Sequence, residues 1–390
     1  MKIICAPDSF KGSLTAVDAA KAMADGIRNA LPDAEIDYCP VGDGGEGTQA
    51  ALIEALGGWT FSFRVRGMLG GGIDVRVGQF HNGNFAYIET AMAIGPDSSP
   101  DGARDVMAAS TFGVGELIER ACINSPQRLL VGVGGSDTND GGCGMAQALG
   151  VQFFDASGRV IEVPISGGSL QQISRIDRSQ FSRVVSAVPI VVICDVYNPL
   201  TGPEGASEIF GPQKGASPAD VAKLDEGLRH VAAIIRRDLG IDVEAMPGAG
   251  AAGGLGAGLS AFAGAKIVSG IETILAVVDF DTRVQDADLC LTGEGRLDSQ
   301  SMSGKTCIGV ATAAASAGVP VVALVGSTGP GADQCLDAGL DEYVAIGEGL
   351  PIEESIRNAS TLLAAAAARV ARKYSEKSAT IGRSVRESDK

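Results

Sequence analysis

A repeated pattern limits what this chain can fold into: a short apolar strand, a loop rich in Gly and Asp, and then a helix with apolar periodicity. In its first occurrence the strand Lys2–Ala6 leads into the loop Pro7–Ser13. Thr15 is then the predicted N-cap of a helix that runs to about Leu31 and stops at Pro32. Because strands that alternate with helices are typical of parallel α/β sheets, the pattern predicts that fold class.

Acidic residues follow most of the predicted strands. The later strands are Ile36–Pro40, Arg128–Val133, Ile190–Cys194, Leu289–Leu291 and Val319–Val325, and the acids in the loops are Asp8, Asp43, Asp137 or Asp140, Asp195, Glu294 and Asp298. Any single acid of this kind is most simply a turn or helix-cap residue. In open parallel sheets, however, ligands bind beyond the carboxyl ends of the strands. The recurrence therefore indicates a shared site.

The pattern changes between Phe61 and Glu89, where apolar and polar residues alternate and Asn82-Gly83 is a strong turn signal. This stretch predicts antiparallel hairpins in a second, inserted domain at residues 61–260. Both ends of the chain, residues 1–60 and 261–372, then form a Rossmann- or flavodoxin-like parallel-sheet domain. Residues 373–390 are predicted to form a polar tail. The predicted fold is thus a two-domain α/β protein with an inserted mixed α/β domain.

Charge and composition exclude several classes of partner and site. The chain of 390 residues carries 31 Lys plus Arg against 47 Asp plus Glu, a net charge of −16, which disfavours nucleic acid and anionic membrane as partners. Its eight cysteines have no C-x-x-C spacing and two histidines cannot form a multi-histidine zinc centre, so buried free thiols are expected. No stretch approaches the ~20 apolar residues of a membrane span, and the expected location is the cytoplasm.

Two segments look like nucleotide-binding motifs. Gly248–Gly253 matches G-x-G-x-x-G, but Met246-Pro247 stands where a strand should end, and the Gly/Ala-rich sequence beyond suits close helix packing. Ser303–Thr306 ends like a P-loop, but Ser299 occupies the position of the first glycine and the residues before it are polar. The first segment nevertheless keeps a nicotinamide-dependent hydroxy-acid oxidoreductase open as an alternative, although no strand precedes its glycines.

Phosphoryl transfer is the chemistry that these loops could serve. Gly-rich turns at helix N-termini hold phosphate oxygens, carboxylates hold Mg²⁺, and a positioned acid accepts the proton of an attacking hydroxyl. Lys11, Lys214 and Lys305 lie in such loops and could neutralise the charge. A single lysine is by default a solvated surface residue, but the uncharged surroundings of Lys11 and Lys214 favour a role.

Several long strings make the chain recognisable. They are APDSFKGSL (Ala6–Leu14), GDGGEGT (Gly42–Thr48), NDGG (Asn139–Gly142), CDVYNPL (Cys194–Leu200), FGPQKGA (Phe210–Ala216), GAGAAGGLG (Gly248–Gly256) and TGEGRLDSQS (Thr292–Ser301). The chain resembles the bacterial glycerate kinase family of the glycerate 2-kinase type over residues 1 to about 372. The resemblance implies ATP-dependent, Mg²⁺-dependent phosphorylation of D-glycerate at a site in the cleft between two α/β domains.

The resemblance also implies roles for individual residues. The catalytic candidates are Asp8, Lys11, Asp43 and Asp195, and the candidate metal ligands are Asp195, Glu294 and Asp298. The substrate- and nucleotide-binding candidates are Ser9, Asn139, Asp140, Asn198, Lys214, Glu294, Arg296 and Lys305. We expect Lys11 or Arg296 to hold the glycerate carboxylate, and one of Asp8, Asp43 and Asp195 to act on the attacking hydroxyl.

The chain departs from the family pattern at a few positions. Asp137 stands where the family usually has Ala, so Asp140 ranks above it as a functional candidate. Met68–Gly72 and Glu89–Met92 also differ, and they could alter the substrate pocket. Three alternatives stay open: a 3-phosphate product, the oxidoreductase, and a sugar-acid binding protein without activity. The oligomeric state is also open.

Overall fold

A computed structural model describes residues 1–80, 84–99, 102–303 and 306–388 of the chain. The described chain forms two compact units. Unit 1 comprises Met1–Asp43, Ala50–Gly57 and Ile271–Lys390, and unit 2 comprises Gly44–Gln49 and Gly58–Gly270. The domain boundaries predicted from the sequence stay predictions.

The strands are short and are numbered here in chain order. They are β1 Lys2–Pro7, β2 Glu35–Tyr38, β3 Trp59–Arg66, β4 Gly72–Phe80, β5 Phe85–Glu89, β6 Arg128–Gly132, β7 Gln152–Phe154, β8 Arg175–Asp177, β9 Ile190–Ile193, β10 Lys266–Val268, β11 Leu289–Gly293, β12 Arg296–Leu297, β13 Val321–Val325, β14 Ser327–Thr328 and β15 Glu342–Ala345.

The helices follow the same numbering. They are α1 Ala16–Ala30, α2 Thr48–Leu56, α3 Ala91–Ile94, α4 Phe112–Cys122, α5 Cys143–Ala148, α6 Arg183–Ser186, α7 Ala206–Phe210, α8 Pro218–Leu239, α9 Ala251–Ala263, α10 Gly270–Val277, α11 Phe280–Val284, α12 Thr306–Ser316, α13 Ile352–Arg357 and α14 Ala359–Ser388. Short 3₁₀ turns are formed by Pro96–Ser98, Gly167–Gln172, Pro212–Lys214, Ser301–Ser303 and Ala332–Cys335.

Unit 1 is built on a parallel sheet with strand order β15-β13-β11-β1-β2. Its three central strands, β13, β11 and β1, are apolar and buried, as parallel strands covered on both faces must be, whereas the edge strands β2 and β15 are only partly buried. Helix α1 packs against α14, and Gly26 permits the approach, because a Cβ there would lie 1.9 Å from the Ala364 carbonyl oxygen. Helix α14 continues through residues 373–388, the stretch predicted as a polar tail.

Unit 2 contains a mixed sheet with strand order β10-β9-β6-β5-β4-β3. Strands β3, β4 and β5 pair antiparallel, whereas β5, β6, β9 and β10 pair parallel. The predicted α/β class, with a parallel sheet and a mixed sheet, is confirmed. The predicted Asn82-Gly83 turn lies outside the described residues.

The sequence also foretells smaller features of the structure. Thr15 is the N-cap of α1, and its hydroxyl accepts from the backbone N–H of Asp18 at 3.0 Å. All eight cysteines are buried thiols that form no disulfide, as expected. Within the described ranges, no helix is both long and apolar enough to cross a membrane.

Candidate functional site

Unit 1 brings three acidic loops together, because they follow three neighbouring parallel strands. Asp8 follows β1, Asp43 lies beyond β2, and Glu294 follows β11. The backbone N–H of Asp8 donates to the carbonyl of Gly293 at 2.8 Å, which joins the ends of β1 and β11. The predicted meeting of these acids at the carboxyl edge of one sheet is therefore seen within unit 1.

Asp8 is placed to exchange a proton near neutral pH. Its Oδ1 accepts from the backbone N–H of Ser9, and its Oδ2 accepts from the hydroxyl of Thr306, both at 2.6 Å. Burial, and then the charge of Asp43, raise the pKa of Asp8 to about 6, and the hydrogen bonds from Thr306 and Ser9 oppose that rise. A carboxylate with this pKa can accept a proton from a reacting hydroxyl.

Thr306 is a site residue that the sequence analysis missed. It is buried at the first position of α12, 298 residues from Asp8 in the chain. Thr306 is the last residue of the Ser303–Thr306 string, in which the sequence predicts Lys305 as the functional residue. Lys305 itself lies outside the described residues.

The loop after β11 carries two acidic residues, Glu294 and Asp298, that are linked through Ser301. The hydroxyl of Ser301 donates to Oε1 of Glu294 at 2.7 Å and accepts from the backbone N–H of Asp298 at 3.3 Å. Asp298 also forms an ion pair with the largely exposed Arg296 at 3.1 Å. The loop thus offers oxygen donors of the kind that Mg²⁺ prefers.

This donor set fits a partly hydrated magnesium ion better than an all-protein metal cage. In the described part of the chain, no group of three or more His, Cys, Asp and Glu side chains is arranged to hold a metal ion. Mg²⁺ is commonly held by one or two carboxylates, with water and substrate phosphates completing its shell. Glu294 and Asp298 can supply those two carboxylates.

Lys11 lies exposed in the turn that follows β1. The turn needs glycine at Gly12, whose φ is +76°. The loop after β11 touches it, because a Cβ at Gly295 would lie 3.2 Å from the backbone nitrogen of Lys11. The two alternative candidates for holding the glycerate carboxylate, Lys11 and Arg296, therefore lie on neighbouring segments, because Arg296 directly follows Gly295 at the start of β12.

In unit 2, Asp140 binds the protein itself on every side. It is fully buried, and it accepts from the backbone N–H and hydroxyl of Thr111, both at 2.8 Å, and from the backbone N–H groups of Gly142 at 3.0 Å and Gly144 at 3.2 Å. Burial raises its pKa against the effect of these bonds. Asp140 thus fastens the starts of α4 and α5, and a direct contact with substrate stays a prediction.

Beside Asp140, two buried polar atoms are left over. The amide nitrogen of Asn139 donates to the Ser207 hydroxyl at 2.9 Å. Oδ1 of Asn139 and Oγ1 of Thr138 have no hydrogen-bond partner among the residues that the structure describes. Buried polar atoms are seldom left unpaired, so this pair of atoms suits contact with a bound polar molecule.

The glycine-rich run next to this loop serves packing. Gly253 has a φ of +66°, and a Cβ there would lie 1.9 Å from the carbonyl oxygen of Thr138. Gly258 also approaches Gly142 closely, since a Cβ there would lie 2.8 Å from its Cα. This contact between α9 and the loop after β6 explains the G-x-G-x-x-G match without a dinucleotide.

Lys214 is not a solvated surface lysine, because only 4% of it is exposed. Its ammonium group donates to the Thr138 carbonyl at 2.8 Å and to the Ser136 hydroxyl at 3.2 Å. Burial lowers its pKa to about 8, although the charges of Asp137 and Asp140 oppose the change. A cation is therefore kept at the same loop as Asn139.

The loop after β9 neighbours the loop after β6, because β9 is paired with β6 in the sheet of unit 2. Asp195 accepts from the backbone N–H of Gly270 at 2.7 Å through Oδ1. The amide nitrogen of Asn198 donates to the Glu204 carbonyl at 2.8 Å, and the carbonyl of Asn198 accepts from Gly250 N–H at 3.0 Å. Both predicted residues lie in a hydrogen-bonded loop at the edge where β6 and β9 end.

Glu89 is a second residue that the sequence analysis missed. It ends β5, is 4% exposed, and accepts the backbone N–H of Gln49 at 2.7 Å at the start of α2. Burial raises its pKa. The sequence marked this position only as a departure from the family pattern.

The predicted site residues therefore fall into two groups, one in each unit. Unit 1 holds Asp8, Ser9, Lys11, Asp43, Glu294, Arg296 and Asp298, and unit 2 holds Asn139, Asp140, Asp195, Asn198 and Lys214.

Comparison with known proteins gives one consistent answer. The family model described as "Glycerate kinase family" matches residues 3–375. A protein named glycerate kinase from Bacillus subtilis (strain 168) is 44% identical over 92% of this chain and 94% of its own length. A protein named glycerate 2-kinase from Escherichia coli (strain K12) is 46% identical over 84% of this chain and 85% of its own. A crystal structure from Salmonella typhimurium LT2, assigned as glycerate kinase 2, superposes with a TM-score of 0.85 at 41% identity, covering 97% of this chain and 99% of that one.

Proposed function

The chain belongs to the glycerate kinase family, and from that premise we propose that it transfers the terminal phosphoryl group of ATP to D-glycerate, giving 2-phosphoglycerate and ADP. The relative named glycerate 2-kinase supports the 2-position, and the 3-phosphate is the second candidate. A site in an interdomain cleft, which the resemblance implies, stays a prediction.

Asp8 carries the proposal. It stands at the carboxyl edge of the parallel sheet, and burial together with the charge of Asp43 raises its pKa to about 6. At neutral pH the Asp8 carboxyl is ionised in most molecules, and a pKa of about 6 still makes it a better proton acceptor than an ordinary aspartate. Asp8 would accept the proton of the attacking glycerate hydroxyl, and Thr306 would orient the carboxylate through its 2.6 Å hydrogen bond.

The cationic residues would hold the anionic parts of both substrates. Lys214, backed by the Ser136 hydroxyl, presents a buried positive charge in unit 2. Lys11 and Arg296 present exposed positive charges in unit 1. These charges would overcome locally the net charge of −16, which otherwise repels glycerate and ATP.

Glu294 and Asp298 are the residues of unit 1 that would hold Mg²⁺, and Ser301 would fix the Glu294 carboxylate through its 2.7 Å hydrogen bond. When bound, the ion neutralises the charge on the phosphate oxygens. Asp195 remains a proposed further ligand from unit 2.

A ³¹P NMR time course with purified protein, Mg-ATP and D-glycerate tests the proposal. We expect a phosphomonoester resonance that matches a 2-phosphoglycerate standard and fails to appear when EDTA is present. A resonance that matches 3-phosphoglycerate would replace the proposed position. Intact ATP with folded protein would refute the substrate assignment.

A further inference from the structure

Arg104 lies against the loop that carries Lys214's partners, and nothing in the sequence marks it as functional. Its Nε donates to Oδ2 of Asp137 and its Nη2 donates to Oδ1, both at 2.7 Å, so the pair is bidentate. Nη2 also donates to the carbonyl of Gln213 at 3.0 Å. One guanidinium group therefore binds two segments that are 76 residues apart in the chain.

One of these segments contains Lys214, and the other contains the two residues that accept its hydrogen bonds. Gln213 is the residue before Lys214 in the turn Pro212–Lys214. Asp137 lies between Ser136 and Thr138, which accept the two hydrogen bonds of the lysine ammonium. The guanidinium thus fixes the lysine's backbone on one side and its hydrogen-bond acceptors on the other.

The charges of this cluster are also matched. Asp137 is only 5% exposed, and Arg104 neutralises it through two short hydrogen bonds. Without that partner, a buried carboxylate would remain close to Lys214 and draw its ammonium away from a bound anion. The groups that act on Lys214 electrostatically are Asp137, Asp140 and Arg104.

We propose that Arg104 is a positioning residue that holds the Lys214 ammonium beside the Ser136 hydroxyl, so that the two bind an oxyanion of the substrates, a carboxylate or a phosphate. The inference rests on the proposed function, because Lys214 belongs to that site. Two observations support a ligand here: the hydrogen bonds of Arg104 to both segments, and the buried Thr138 hydroxyl, which has no partner in the described chain and can donate to an oxyanion. The Oδ1 of Asn139, likewise unpaired among the described residues, can only accept, so it suits a hydroxyl of the same ligand and not the oxyanion.

The test compares Arg104→Ala, Lys214→Met and the double variant by steady-state kinetics and by calorimetric titration with D-glycerate and with ADP. We expect Arg104→Ala to raise one KM and the matching Kd about tenfold, the typical loss for a charged hydrogen-bonded group, with kcat within about threefold. In the Lys214→Met background, Arg104→Ala should have no further effect, because its action passes through the lysine.

The two ligands separate the sources of the oxyanion. A loss confined to D-glycerate assigns the carboxylate, and a loss confined to ADP and ATP assigns the phosphate. Arg159→Ala is the matched control, since Arg159 forms an exposed ion pair with Asp155 in the same unit, at 3.0 Å, and should leave both constants unchanged. If Arg104→Ala does not fold, Asp137→Asn replaces it, because this substitution removes the charge that Arg104 binds and leaves the arginine in place.

Two results would overturn the inference. One is a KM and Kd within twofold of wild type in both Arg104→Ala and Asp137→Asn. The other is multiplicative losses in the double variant, which would mean that Arg104 acts independently of Lys214. Wild-type protein that binds both ligands but forms no phosphoglycerate would refute the proposed function alone, because the binding comparison still tests Arg104.

Discussion

Replacing Asp8 by Asn should stabilise the protein while it removes activity. Above pH 6 the Asp8 carboxylate is ionised in a buried position beside Asp43, and this costs the folded state free energy. Asn has the same shape, so Ser9 can still donate to its oxygen. The hydroxyl of Thr306 can turn to accept from the new amide.

The size and sign of the effect follow from the pKa. A rise from 3.8 to about 6 corresponds to about 3 kcal/mol of unfolding free energy lost in the wild type at a pH well above 6. The folded carboxyl binds a proton first as the pH falls, so wild-type stability recovers between pH 6 and 4. The advantage of Asp8→Asn should therefore approach about 3 kcal/mol at pH 8 and vanish near pH 4.

Urea unfolding followed by circular dichroism at several pH values between 4 and 8 measures this difference. Fluorescence of Trp59, the only tryptophan, reports on unit 2, so a shift seen only by circular dichroism locates the effect in unit 1. Asp33→Asn is the control, because Asp33 is exposed in the same unit. The account of Asp8 would be refuted if Asp8→Asn were less stable than wild type at pH 8. It would also be refuted if the difference in unfolding free energy between the two proteins were the same at every pH.

Three further substitutions separate structure from chemistry. Asp140→Ala leaves four buried donors without an acceptor and should lower the free energy of unfolding in urea by about 3–5 kcal/mol. The control is Asp97→Ala, at an exposed position, which should lower it by less than about 0.5 kcal/mol. Asp195→Asn should lower kcat by orders of magnitude with a Tm within a few degrees of wild type, and near-wild-type turnover would remove Asp195 from the mechanism. Lys11→Ala should raise the KM for glycerate or ATP about tenfold, and unchanged kinetic constants would contradict its role.

Local sequence signals predicted the elements well, because their causes are local. The helix predicted from Thr15 to about Leu31 is α1, Ala16–Ala30, since a capping hydroxyl and a following proline act within one turn. The acids after β1, β2 and β11 meet in unit 1, because neighbouring parallel strands end at one edge. Element order and loop composition were enough for both predictions.

Contacts between distant segments could not be predicted in the same way. Nothing in the string FGPQKGA shows that Lys214 is buried against Thr138, because that depends on packing across 76 residues of chain. The same holds for the hydrogen bonds between Arg104 and Asp137 and for the hydrogen bond that the Thr306 hydroxyl donates to Asp8. Helix propensity and turn chemistry carry no information about such partners.

The roles of the acids illustrate the limit most clearly. Asp8 and Asp140 both follow strands in glycine-rich loops, so loop composition does not separate them, and only the family resemblance made Asp8 a catalytic candidate and Asp140 a binding candidate. Asp140 receives four hydrogen bonds from its own protein, so its carboxylate is occupied. Asp8 receives hydrogen bonds only from Ser9 and Thr306, and burial together with the neighbouring charge of Asp43 raises its pKa to about 6. Since the number of donors and the nearest charge decide what a carboxylate can do, loop composition identifies candidate acids, but only tertiary structure distinguishes a fastening carboxylate from a proton acceptor.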